Sequence, residues 1–223
     1  MISYTIRSER DLERAVLECG ILPFFKNSLA GFSVEEHCVP ELWFSGEEGP
    51  WEWKGPVIRG TGCAYGKFFE HKAAYISSEI FPDFANWRRD GYDFDARFDD
   101  ELAQIKDKRL YDLIDANAPV LTGRLKELGN YKKGGNKGFD TIISRLQAQC
   151  YVIIGDFVYL QDRKGKTYGW GVAQYTTPER LFGRNFTDAV YRSSPEESCA
   201  RILAHMQKLL PGESREAIVR FLR

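Results

Sequence analysis

Residues 138–175 read GFDTIISRLQAQCYVIIGDFVYLQDRKGKTYGWGVAQY. Apolar residues recur at helical spacing in the first third of this segment, which predicts a helix over about 138–149. Two extended, aromatic-rich runs follow, over about 151–160 and 167–175, and the charged turn 161–166 separates them. The segment therefore predicts a helix that leads into a two-stranded antiparallel hairpin.

Two more helices are predicted upstream of this segment. One covers about 99–116 and has an apolar stripe, and a shorter one covers about 121–128 and ends at Gly129. A basic, glycine-rich turn over 130–137 then leads to the helix at 138. Three helices and a hairpin in this order make the winged helix–turn–helix arrangement, which we place at 97–183.

The flanking segments complete the predicted fold. Residues 1–96 form an N-terminal α/β segment that we expect to pack on the winged helix. Residues 184–223 predict two helices with apolar faces, arranged as a hairpin. This helical hairpin either packs on the winged helix or forms a homodimer surface. The predicted fold class is α+β, mostly helical.

Composition excludes several classes of protein. Hydrophobic residues make up 43% of the chain and aromatic residues 14%, which excludes general disorder. No apolar run is long enough to span a membrane, and the N-terminus has no signal-peptide core. The five cysteines are scattered and form no CxxC pair, which is typical of reduced thiols in a cytoplasmic protein. No metal-binding or cofactor-binding pattern is found, and none is predicted.

The charge of the chain is unevenly distributed. The net charge is −1, but residues 119–166 hold nine Lys and Arg against four Asp and Glu. This basic block coincides with the second and third helices, the turn between them and the tip of the hairpin. It indicates either a surface that binds an anion or a solvated loop and hairpin without a ligand.

A winged helix with this charge pattern predicts binding to double-stranded DNA. The third helix has the width of a major groove, and we expect Thr141, Ser144 and Gln147 to face that groove. Lys and Arg side chains around the helix and at the hairpin tip would neutralise phosphates. The predicted phosphate contacts are Arg124, Lys132, Lys133, Lys137, Arg145, Arg163, Lys164 and Lys166.

Two parts of the chain resemble the winged-helix DNA glycosylases of the AlkZ/YcaQ group, which excise bulky alkylated purines and unhook interstrand crosslinks. The first part contains FFEHKAAYI at Phe68–Ile76, EIFP at Glu79–Pro82 and WRR at Trp87–Arg89. The second contains APVLTGRL at Ala118–Leu125 and, after the hairpin, YTTPERL at Tyr175–Leu181. The resemblance covers roughly 65–183 and implies a relative that keeps the DNA-contacting scaffold.

The sequence departs from that group at the catalytic motif. In the group, a Gln-x-Gln pair in an earlier winged helix positions the attacking water, and residues 1–64 contain no such pair. The C-terminal barrel of the group is also missing, since 184–223 are predicted to be helical. The chain does contain Gln147 and Gln149 on the third helix, and Glu79 lies between apolar neighbours. These three are the candidate catalytic residues.

Three functions therefore remain open at the level of sequence. The first is a double-stranded DNA-binding relative of the alkylpurine glycosylases that is non-catalytic or divergent. The second is an active glycosylase that hydrolyses the N-glycosidic bond of alkylated purines, with Gln147 and Gln149 orienting water and Glu79 assisting. The third is a winged helix that makes only protein–protein contacts.

Overall fold

The computed structural model describes residues 2–44, 48–165 and 167–222, and a six-stranded sheet runs through these described parts. The strands are β1 (Ile21–Pro23), β2 (Ala64–Phe69), β3 (Lys72–Ile76), β4 (Val120–Leu121), β5 (Ile153–Gln161) and β6 (Thr167–Thr176). Their order across the sheet is β1-β3-β2-β5-β6-β4, and all paired strands are antiparallel. The fold is α+β, as predicted, with about half of the chain in helices.

Helices surround this sheet. In the first part of the chain they are α1 (Glu9–Cys19), α2 (Val34–His37), α3 (Pro40–Trp43), α4 (Pro50–Thr61) and α5 (Phe81–Arg89). The middle part contains α6 (Phe94–Asp99), α7 (Ile105–Asn117), α8 (Thr122–Leu128) and α9 (Phe139–Ala148). The last part contains α10 (Pro178–Phe182), α11 (Arg184–Thr187), α12 (Pro195–Leu209) and α13 (Arg215–Leu222).

The predicted order of three helices and a hairpin is confirmed by α7, α8, α9, β5 and β6. The prediction of a helix from residue 99 is wrong, because α7 begins only at Ile105. Residues up to Asp99 belong instead to α6, which begins where the Asp93 carboxylate accepts a hydrogen bond from the Ala96 N–H at 2.8 Å. The chain then turns through Glu101, whose φ of 60° is incompatible with a continuous helix.

The N-terminal segment and the three-helix segment share one sheet. Strand β2 pairs with β5, and Tyr65 lies opposite Ile154. The predicted boundary between residues 96 and 97 falls inside α6. Strand β4, between α7 and α8, pairs with β6 at the far edge.

The hairpin β5–β6 is held from the side by α4. The Tyr159 hydroxyl donates to the backbone carbonyls of Trp51 and Glu52, at 3.2 and 2.8 Å. The Arg59 guanidinium donates to the Asp156 carboxylate on β5. The rings of Trp51 and Trp170 lie edge to face, 5.9 Å apart. These contacts fix the orientation of the hairpin relative to the N-terminal segment.

The apolar faces of the C-terminal helices are covered within the chain. Helix α12 packs against α5, and Ile202 and Met206 of α12 are buried with Phe81 and Phe84 of α5. Phe221 of α13 stacks on Phe69 of β2, with the ring centroids 4.5 Å apart. The helical hairpin therefore packs on the N-terminal segment.

Candidate nucleic-acid interface

The predicted phosphate contacts of α8 and the following loop fall into two groups. Arg124 and Lys132 both bind the Glu127 carboxylate, Arg124 at 3.3 Å. These ion pairs lower the pKa of Glu127, with Lys132 as the larger cause and Arg124 as the second. Lys133 and Lys137 are exposed and have no carboxylate partner in the described structure. The charges of Arg124 and Lys132 are thus partly neutralised by Glu127, whereas those of Lys133 and Lys137 are not.

The tip of the hairpin carries two more exposed cations. Arg163 and Lys164 lie in the turn between β5 and β6, and neither forms an ion pair with a described carboxylate. The turn closes with a hydrogen bond from the Lys164 N–H to the Asp162 carboxylate at 2.8 Å. The predicted contact Lys166 lies outside the described residues.

The expectation that Ser144 and Gln147 face a DNA groove is wrong. Ser144 is 8% exposed and Gln147 is fully buried, because strand β2 covers this side of α9. The Lys67 ammonium donates to the Ser144 hydroxyl at 3.3 Å, and the Lys67 N–H donates to Gln147 Oε1 at 3.2 Å. Of the three groove residues predicted, Thr141 alone is exposed.

The guanidinium of Arg145 binds a residue of α7 and is therefore not a free surface cation. Its guanidinium binds Asp107 with two hydrogen bonds, Nε to Oδ2 at 2.8 Å and Nη2 to Oδ1 at 2.6 Å. The Asp107 side chain is 4% exposed and the Arg145 side chain 32% exposed, so this is a partly desolvated, bidentate pair. Asp107 raises the pKa of Arg145 above its usual value. Arg145 therefore fixes α9 against α7 and is not free for a phosphate.

The three candidate catalytic residues do not form a site. Both polar atoms of the Gln147 amide are engaged, since its Nε2 also donates to the Ile143 carbonyl at 3.1 Å. Gln149 is half-buried at the end of α9. Glu79 is exposed between β3 and α5, in a cleft that Leu181 and Phe182 also line. With Gln147 buried, the two amides do not share an exposed surface on which a water molecule could be held for attack.

Two cations missed by the sequence analysis lie next to the predicted ones. Lys106 and Arg109 of α7 are exposed and, together with Lys137, line a cleft between α7 and the loop that follows α8. They lie outside the segment 119–166 whose charge stands out. Their spacing of three residues within a predicted helix is the signal that places both side chains on one face.

The two parts of the sequence that resemble the glycosylases meet in space. Arg89 of the first part is 1% exposed and donates to Glu179 of the second part at 2.7 Å. It also donates to the Tyr191 hydroxyl at 2.9 Å and to the Cys150 carbonyl at 2.8 Å. Burial would lower the pKa of Arg89, but Glu179 and Tyr191 raise it above its usual value. The Arg89–Glu179 ion pair thus joins the two parts of the chain that resemble the glycosylases.

No three side chains of the types that bind metal ions lie close enough together to hold one in the described ranges. Among the described helices, none is long and apolar enough to cross a membrane.

The described structure thus has an α+β fold. It carries exposed basic residues on the loop between α8 and α9 and at the tip of the hairpin. A family model described as AlkZ related matches residues 6–223, so this protein belongs to the AlkZ-related family. This agrees with the resemblance found in the sequence and extends it to almost the whole chain. No curated protein and no solved structure matches this chain.

Proposed function

We propose that this protein binds double-stranded DNA as a divergent relative of the alkylpurine DNA glycosylases and does not excise bases with the residues considered above. The observation that carries the proposal is a set of exposed cations that form no ion pair with any described carboxylate. They lie on the α8–α9 loop and the hairpin tip: Lys133, Lys137, Arg163 and Lys164. Family membership supports the link to DNA repair glycosylases.

Strand pairing supports a winged helix as the binding unit. In addition to the order of helices and hairpin, the short strand β4 between α7 and α8 pairs with β6, and Val120 lies opposite Tyr175. This pairing ties the start of α8 to the sheet that carries the hairpin. In this proposal the cations of the α8–α9 loop and those of the hairpin tip contact the same duplex.

In this proposal the protein contacts phosphates and does not insert α9 into the major groove. The side of α9 that holds Ser144 and Gln147 is covered by β2, and Arg145 is bound to Asp107. Arg124 and Lys132 contribute less than the unpaired cations, because both already bind Glu127. Contacts to phosphates give affinity but little sequence preference, so binding is expected to be nearly independent of sequence.

The test is the affinity for a labelled duplex, measured by fluorescence anisotropy at several salt concentrations. If the four unpaired cations each neutralise one phosphate, log K falls with log[salt] with a slope of about −3 to −4. Lys133→Ala and Lys164→Ala should each reduce that slope by about 1, whereas the control Lys208→Ala, on α12, should leave it unchanged.

Other outcomes would favour the rival functions. Absence of duplex binding, or binding that salt does not weaken, would contradict the proposal and favour a winged helix used for protein contacts. Formation of abasic sites on alkylated duplex, lost in Gln149→Ala, would show an active glycosylase that uses the candidate residues after all.

A further inference from the structure

A cleft of about 560 Å³ lies between α7 and the loop over 129–137. One wall is formed by Lys106, Arg109, Leu110 and Leu113 of α7. The opposite wall belongs to the loop and the end of α8. The volume lies within the range of sites that hold small organic ligands. The combination of charged, aromatic and amide side chains around it indicates which ligand it would accept.

The cleft has an excess of positive charge. Lys106 and Arg109 are three residues apart on one face of α7, and Lys137 lines the cleft from the loop. None of the three forms an ion pair with a carboxylate in the described ranges. The one acidic residue that lines the cleft, Asp112, is bound by Lys108 at 2.5 Å. Cations without partners that face a common space form a site for a polyvalent anion such as phosphate.

The rest of the cleft suits a planar ring. Leu110, Leu113 and Leu128 provide an apolar lining, and Tyr131 adds an aromatic ring. The Tyr131 ring lies edge to face on Phe139, 5.3 Å away, and partial burial raises the pKa of its hydroxyl. Asn130 and Asn136 bring amide groups, which can donate to and accept from a heterocycle.

The loop wall is formed before any ligand binds. The Asn136 N–H donates to the Asn130 carbonyl at 2.6 Å, and the Asn136 amide donates to the Gly129 carbonyl at 2.9 Å. Gly135 fits only because it has no side chain, since a Cβ there would lie 2.1 Å from the Asn130 carbonyl oxygen. A wall held in this way loses little conformational entropy when a ligand enters.

We propose that this cleft binds a nucleoside monophosphate. The phosphate lies between Lys106, Arg109 and Lys137, and the base contacts Tyr131 and the leucines. The nucleotide is either free in solution or an unpaired nucleotide of a nucleic acid, since both present the same chemistry. The inference does not depend on the proposed function, although Lys137 is shared with the proposed duplex contacts.

The experiment is calorimetric titration of the full chain, without DNA, with adenosine 5′-monophosphate, adenosine and inorganic phosphate in turn. We expect the monophosphate to bind at least about ten-fold more tightly than either part alone, because the two halves of the cleft act together. Arg109→Gln should weaken monophosphate binding about ten-fold, as should Lys106→Ala.

Lys133→Ala is the matched control, because Lys133 belongs to the same loop but does not line the cleft. It should leave monophosphate binding unchanged while it weakens duplex binding. Since Lys106 and Arg109 are exposed, their variants should unfold at the same temperature as the wild type, which separates loss of binding from loss of fold.

Absence of monophosphate binding, or equal binding of monophosphate and inorganic phosphate, would overturn the inference. Duplex binding without monophosphate binding would refute the nucleotide site and leave the proposed function standing. Monophosphate binding without duplex binding would support the nucleotide site and refute the proposed function. If the monophosphate binds, its competition with a duplex that carries an unpaired 5′ nucleotide identifies the source. Stronger displacement by this duplex than by a fully paired one indicates a nucleotide of the nucleic acid. Equal displacement by both, or simultaneous binding, indicates a free nucleotide.

Discussion

Replacing Arg89 by methionine should destabilise the protein strongly. Arg89 is 1% exposed and donates three hydrogen bonds at 2.7–2.9 Å, to Glu179, Tyr191 and Cys150. The ring centroids of Tyr151 and Phe186 lie 4.7 and 5.2 Å from its guanidinium carbon, so methionine retains much of the packing and loses the charge. The variant therefore isolates the electrostatic part of the contact.

The expected loss of stability follows from the Glu179 carboxylate, which Arg89→Met leaves without its cation. Removing one partner of a buried ion pair costs about 3–5 kcal/mol. The Glu179 side chain is 31% exposed and can regain some hydration, which places the expected loss at the lower end, about 3 kcal/mol. For a domain of this size, that corresponds to a melting temperature lower by about 6–12 °C.

The assay is urea unfolding of the wild type, Arg89→Met, Glu179→Gln and the double variant. Glu179→Gln keeps an acceptor for Arg89 but leaves this fully buried cation without a counter-charge, so it should cost at least as much, about 3–5 kcal/mol. The double variant should be more stable than the sum of the single losses predicts, because the two residues act on each other. A loss below about 1 kcal/mol for Arg89→Met with an unchanged m-value, or strict additivity in the double variant, would refute the reasoning.

Three further predictions concern other buried groups. Gln147→Leu should cost about 1–3 kcal/mol in urea unfolding, because the partly buried Lys67 N–H loses its acceptor, and a neutral result would contradict the observed geometry. Burial lowers the pKa of Lys54 to about 8, so the unfolded chain holds this proton more tightly, and stability should rise between about pH 8 and pH 10.5. Lys54→Met should remove that rise and stabilise the protein at pH 7 by roughly 2–3 kcal/mol, as denaturant titrations over the pH series would show. A thiol reagent should label Cys199 first, because it is the one cysteine of the five that is not buried, and rapid labelling of a second cysteine in the folded protein would argue against this.

The local structure of the middle segment could be predicted because its signals are local. The apolar spacing of α9 and the charged turn between β5 and β6 place both elements within a few residues of their observed bounds. The prediction of reduced cysteines also rests on composition and spacing, and the cysteines of the described structure are free. Helix α7 was predicted too long because the cap at Asp93, which starts α6, competes for the residues before it.

The environment of α9 could not be predicted from its own sequence. Ser144 and Gln147 are polar and lie outside the apolar stripe of α9, which normally indicates exposure. They are buried because β2, from a distant part of the chain, extends the sheet past the hairpin and supplies Lys67 as their partner. Glu79 shows the opposite error, since apolar neighbours in sequence surround a side chain that the turn before α5 leaves exposed.

The contacts that hold the β5–β6 hairpin against α4 affect how fast a ligand can bind to the hairpin. A hairpin that swings freely must be ordered when it meets a ligand, and this ordering slows association or weakens it. Here, the hydrogen bonds of Tyr159 and Arg59 already order the hairpin when the chain folds, so this entropy is not lost again on binding. If the protein binds a duplex as proposed, loosening these contacts, for example with Tyr159→Phe, should slow the capture of that polyanion although Tyr159 is not one of the proposed phosphate contacts.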